Sequence, residues 1–271
     1  MTKSIRVSVA IFVVAFALDG AFHQVSGLVC SGSVAVTSCS QTCSANCYLP
    51  NDLNCTTGQG LALASSVKLD VCGHTIHCIT PNGCGAKPAV AMSNGSQVIN
   101  GGGPGGFEGP WFPAINCYDV TSTKVIGIRF ENIGGYAVVN CAKVEQNVFI
   151  NGGLAAVLTD GVANTDQIDN NYFQGNGQAG IYVYGDPFKI TIDHNMFVTN
   201  NGDGIFVPSA AHSFVVNNNV FLGSLSNPNP INDSTGYGTY TSNYCDPENI
   251  SCANCVSLGQ CTPANVPFSM P

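Results

Sequence analysis

Asn147, Asn171, Asn195 and Asn219 stand 24 residues apart, and Phe149, Phe173, Phe197 and Phe221 keep the same step two positions later. Val144, Ile168, Ile192 and Val216 form a third series, three residues ahead of each Asn. In the other half of the unit, "AGIYV" (179–183) and "DGIFV" (203–207) match at the same spacing. A degenerate unit, "VIGIRFENIGGYAVV" (125–139), lies 19 residues before its partner. So strict a period admits few folds. Each unit holds short alternating runs, such as Ile181 with Val183 and Ile190 with Ile192, broken by Asn and Gly. Alternation puts one face of a strand inside, and Asn and Gly supply the positive φ of tight turns. No segment has the apolar spacing of an amphipathic helix of useful length. A 24-residue unit of two or three short strands cannot bury its own apolar face, so it must stack on its neighbours as a solenoid of parallel strands. The Asn series then predicts side-chain amides bonded from coil to coil. The Phe series predicts rings stacked inside at the strand spacing of about 4.8 Å.

Particular motifs sharpen this reading. "VKLDVCGHTIHC" (67–78) resembles the "LDLNGHTI" coil that opens many right-handed parallel β-helix proteins. "TIDHNMF" and "NNGDGIFV" are similar to the I-x-x-N-x-F and N-G-x-G-I repeats of that group, which shares the pectate-lyase-like fold. The resemblance covers roughly residues 50 to 225. It implies an all-β chain folded as a single-stranded right-handed parallel β-helix. It implies no particular activity, because these motifs describe the scaffold.

An open solenoid exposes sheet edges that must be protected, and the ends of the chain differ from its middle. Lys3 and Arg6 precede an apolar run from Val7 to Leu18, too short to span a bilayer, which reads as a secretory signal over residues 1–27. All 14 cysteines follow it, and an even count in an exported chain reads as disulfides rather than as a thiolate zinc site at Cys252 and Cys255. Residues 28–225 are expected to form the β-helix, with a cysteine-rich N-terminal cap up to Cys55. Residues 226–271, rich in Asn, Pro, Ser and Gly and carrying four cysteines, read as a stapled tail. Cys117 and Cys141, also 24 apart, are placed for a bridge between neighbouring coils. Sequons stand at Asn54, Asn94, Asn232 and Asn249. With 16 acidic against 8 basic residues, nucleic acid and anionic membranes are poor partners. A released, extracellular protein with a polysaccharide or glycan as its partner is the expectation.

Four groups of residues could carry chemistry. Glu145, Asp169 and Asp193 share one repeat position with Asn217, and oxygen ligands on adjacent coils would suit Ca²⁺; a solvated turn is the other reading. The glycine-rich loop 99–115 carries Glu108 and Trp111, the only tryptophan, either as a flat face for a sugar or as an anchor on the core. If Ile181, Val183, Ile205 and Val207 point in, then Tyr182, Tyr184 and Phe206 point out, beside Leu158, as a binding groove or as a strip covered by a loop or the tail. Asp186 and Asp203 lie just past and just before those strands, where paired acids would flank a sugar ring, as glycoside hydrolysis requires.

Catalytic look-alikes are incomplete. "NTD" (164–166) resembles part of the polygalacturonase signature, but the Gly-His-Gly and Arg-Ile-Lys that accompany it there do not occur. "YGDPFKITI" (184–192) resembles a mannuronan epimerase motif, with Phe188 where that family has its His. Arg129 is the only arginine after the signal, which argues against a lyase of anionic polymers. Carbohydrate binding or a surface role is therefore expected ahead of a polysaccharide lyase, hydrolase or epimerase.

Overall fold

The computed structural model describes residues 30–56, 60–80, 84–85, 87–118, 121–159, 166–185, 189–208, 214–224, 230–245 and 256–257. The signal segment, Asn164 and Thr165 of the "NTD" motif, Asp186, Asn249, Cys252, Cys255 and Cys261 lie outside them. The described chain winds through three parallel sheets of ten, ten and nine strands, and apart from the outermost pair at each end every strand pairs with the third one before and after it. Every coil thus gives one strand to each sheet in turn. In the regular coils the first sheet takes Lys143–Glu145, Asp166–Asp169, Ile190–Asp193 and Phe214–Asn217. The second takes Val148–Ile150, Tyr172–Gln174, Met196–Asn200 and Val220–Ser224. The third takes Ala155–Thr159, Ala179–Val183, Asp203–Val207 and Ile231–Asp233. The 24-residue period reappears as strand register: Ile168 pairs with Ile192, Phe173 with Phe197 and Ile181 with Ile205. The protein is a right-handed parallel β-helix repeat protein.

The corner between the first and second sheets explains the Asn series. Gln146, Asn170, His194 and Asn218 adopt left-handed backbone there, with φ of 58°, 56°, 52° and 52°. Such a turn costs a non-glycine residue roughly 1–2 kcal/mol. It delivers the next residue, a ladder Asn, into the interior. Asn195 is fully buried. Its Oδ1 accepts from the backbone N–H and the side-chain amide of Asn171 at 2.9 and 3.0 Å. Its Nδ2 donates to the carbonyls of Ile168 and Asp193 and to Oδ1 of Asn219, at 2.8, 3.0 and 3.0 Å. Asn243 extends the ladder by one coil, accepting from Asn219.

Beside the ladder, Phe107, Phe130, Phe149, Phe173, Phe197 and Phe221 stack with centroids 4.7–5.4 Å apart and planes within 10°. Two of these rings come from the irregular coils, where the period slips but the column does not. Across the interior, Gly180 and Gly204 of the third sheet leave the space that the rings of Phe197 and Phe221 occupy.

The ends are stapled. Disulfides join Cys30 to Cys72, Cys39 to Cys55, Cys43 to Cys47, Cys78 to Cys84 and Cys117 to Cys141. The last is the inter-coil bridge that the spacing suggested, and its Cα atoms are 5.0 Å apart. Asp70, buried, ties the first coils together by accepting from Ser31, Cys72 and Gly101. These bonds outweigh the cost of burial and hold its carboxyl below the usual carboxylate range. At the other end the solenoid runs past residue 225 for a further coil. Ile231–Asp233, Gly238–Thr241 and Tyr244–Cys245 each pair with the coil beneath. The reason is that Asn243 and Cys245 keep the Asn and Phe positions of the repeat.

Candidate functional site

The outward side chains of the third sheet form a continuous column. Asn116, Val139, Leu158, Tyr182, Phe206 and Asn232 are register partners on six successive strands, all partly exposed. Their inward neighbours Ile181, Val183, Ile205 and Val207 are fully buried, so the alternation holds as expected. The ring of Tyr182 lies 5.3 Å from that of Phe206, edge on, and 6.2 Å from that of Tyr184, nearly parallel. Tyr184 is 54% exposed. Burial, then the neighbouring Tyr136 and Tyr184, raise the Tyr182 hydroxyl above the usual phenol range.

Two aromatic residues join this strip that the sequence did not point to. Phe112 is 49% exposed, and its ring packs 6.1 Å from that of Tyr136. Trp111, which the sequence offered as a sugar platform or as an anchor on the core, is 1% exposed and takes the second role. Consecutive residues of the loop point opposite ways, so burying Trp111 presents Phe112. Neither lies in a regular repeat, and no periodic signal could have told them apart. Tyr136 belongs to the 19-residue unit, where alignment to the 24-residue pattern fails.

Of the two acids expected beside the strip, the described one is buried. Asp203 is 5% exposed, and Asn232 Nδ2 donates to its Oδ2 at 2.9 Å. It shares the parity of Ile205 and Val207, which places its side chain on the inner side of the strand; the alternation itself carried that signal. Asp186, its expected partner, falls outside the described residues. Glu108 and Arg129 stand on the outer face of the second sheet, not the third. There Glu108 meets His77 Nδ1 at 3.0 Å, and Arg129 meets Glu131 at 2.8 Å.

The acidic column exists, but on the first sheet. Glu145, Asp169, Asp193 and Asn217 are direct register partners. Each acid turns to a different neighbour. Glu145 pairs with Lys143 at 2.8 Å, Asp169 accepts from Gln167 at 3.2 Å, and Asp193 holds His194 and Asn218 at 3.0 Å each. Among the described residues, no three His, Cys, Asp or Glu side chains converge to hold a metal ion. Among the described residues the column thus lends no support to the Ca²⁺ site that its spacing suggested, since each carboxylate turns to its own neighbour.

Asp169 bears the cost of this crowding. It is 9% exposed, and its Oδ1 is buried without a hydrogen-bond donor. Burial and the adjacent Glu145 push its pKa up to about 6. A carboxyl raised in the folded state stabilises the fold below its unfolded value, near 3.8, and loses that contribution as pH rises through about 6. Asp169→Asn is therefore expected to raise stability at pH 7 by about 1–3 kcal/mol and to leave it unchanged near pH 4. Asn217 already fills the equivalent place one coil from Asp193. Urea unfolding at the two pH values checks this, and an equal effect at both, or a loss at pH 7, contradicts it.

Residues 113–244, just under half of the chain, match the family model described as "Periplasmic copper-binding protein (NosD)". No curated protein and no solved structure matches the chain.

Proposed function

We propose that this chain works outside the cytoplasm as a rigid β-helix that binds carbohydrate along the aromatic strip of its third sheet. The similarity to a family described as periplasmic, together with the signal-like N-terminus and the disulfides, supports an extracytoplasmic location. The observation that carries the binding reading is the row of Leu158, Tyr182 and Phe206 on adjacent strands, with Tyr184 beside it. Aromatic faces fixed a strand spacing apart on a scaffold that cannot flex offer flat, repeated contacts to a chain of sugar rings. Binding is favoured over turnover because Asp203 is buried and bonded by Asn232, which leaves the strip without a pair of exposed acids among the described residues.

The family's description raises copper as a ligand, and the described residues do not suit it. Within residues 113–244 the one described histidine is His194, held at Nδ1 by Asp193. His74 and His77 stand on an earlier coil, beside Asp52 and Glu108. The described cysteines are all in disulfides. No role for copper is derived from this set.

The double variant Tyr182→Ser/Phe206→Ser tests the reading on a glycan array. Lost binding with an unchanged melting temperature is the expected result. A lowered melting temperature in a protein that bound no glycan beforehand would mean that the strip is packing surface.

A further inference from the structure

The ionisable side chains of this solenoid are sorted by face. The strands of the first sheet bear Lys68, Lys124, Lys143, Glu145, Asp169 and Asp193. Those of the second bear His77, Glu108, Arg129 and Glu131. Across the nine described strands of the third sheet there is no Lys, Arg or His, and the only carboxylates are Asp203 and Asp233. Neither is offered outward. Asp203 is buried and bonded by Asn232. Asp233 turns into the terminal loop, where its oxygens accept from Thr235, Gly236 and Tyr240. What remains facing solvent is amide, aliphatic and aromatic: Asn116, Val139, Leu158, Tyr182, Phe206 and Asn232.

Such a face discriminates by charge. A polyuronate carries a carboxylate on every ring, and a protein that holds it must set Arg, Lys or a cation against each one. Among its described residues the strip supplies none, and the formal net charge of the whole chain, −8 at pH 7, repels such a polymer. A polyamine sugar needs carboxylates to receive its ammonium groups. The strip offers none of those either. We infer that the polymer bound at this strip is an uncharged polysaccharide, whose rings lie on Tyr182, Tyr184 and Phe206 while its hydroxyls reach the amide of Asn116. This inference rests on the carbohydrate-binding reading above and narrows its substrate class. It also separates this surface from the uronate chemistry that the scaffold's resemblance brought into view.

The test measures binding of the full chain to soluble neutral glucans, mannans and xylans, to polygalacturonate and to chitosan oligomers, at low and at high salt. Tyr184→Ser serves as a variant that cannot fail by unfolding, because its side chain is exposed. The expected result is binding to a neutral polymer that salt leaves unchanged and that both Tyr184→Ser and the Tyr182/Phe206 double variant weaken at least tenfold. Binding only to polygalacturonate or chitosan, screened by salt and lost in the same variants, would overturn the neutral assignment while leaving the strip as the binding surface. Binding that survives in the variants, or no binding to any polymer, removes the strip as a carbohydrate site and the inference with it.

Discussion

Asn195→Ala is expected to lower the stability of the protein by about 3–5 kcal/mol. The alanine strands two buried donors of Asn171, its backbone N–H and its side-chain amide, which both end on Asn195 Oδ1. It also takes away the donor that Ile168, Asp193 and Asn219 share. Each buried polar group left unpaired costs about 1–3 kcal/mol, and water cannot enter between coils to replace the amide. Asn195→Asp is an informative companion, because it keeps the accepting oxygen but turns the donor into a second acceptor facing three oxygens. Both variants should lower the denaturant midpoint, measured by chemical unfolding. A loss below about 1 kcal/mol for the alanine would mean that ladder amides are replaceable by solvent.

Gly180→Val is expected to cost about 2–4 kcal/mol. A Cβ at this position would lie 2.6 Å from Cε1 of Phe197, 2.7 Å from its Cδ1 and 2.8 Å from the carbonyl oxygen of Gly204. The ring has nowhere to go, since Phe173 and Phe221 stack on its two sides with centroids at 4.8 and 4.7 Å. The same geometry predicts coupling: shortening the ring with Phe197→Leu should recover part of the loss caused by Gly180→Ala. Unfolding of the single and double variants measures it. Strictly additive losses would show that the glycine serves the backbone and not the ring.

The two expectations differ in how far the sequence reached. The Asn and Phe series could be written down as stacked columns from their spacing alone, and the structure adds Asn243, Phe107 and Phe130 to them. Gly180 looked like one glycine among 31, and only the position of Phe197 across the interior gives it a purpose. The strip lay between these cases. Alternation placed Tyr182, Tyr184 and Phe206 outward, and the same alternation placed Asp203 inward, although its nearness in sequence to the strip suggested a role beside them.

What the sequence determined by itself is what its period can encode. Equal steps put equivalent residues in one column, so register, the inner Asn and Phe ladders and the partners of Tyr182 followed without coordinates. The Cys117–Cys141 bridge also joins neighbouring coils as its spacing suggested, although Asn116 beside it pairs with Val139, so that the two cysteines are not register partners. The tertiary structure decided everything that depends on where a column faces and what crowds it. Trp111 is buried and Phe112 exposed, which their loop, having no period, did not reveal. Glu145, Asp169 and Asp193 align as expected but turn to separate partners, and burial and the adjacent Glu145 raise the pKa of Asp169. The segregation of charge onto two faces, which leaves no outward charge on the described strands of the third, arises from how three strands of each coil fold around a common axis. A repeat unit read along the chain records the order of its residues but not the corner angles, and those angles choose the face each residue shows to the solvent.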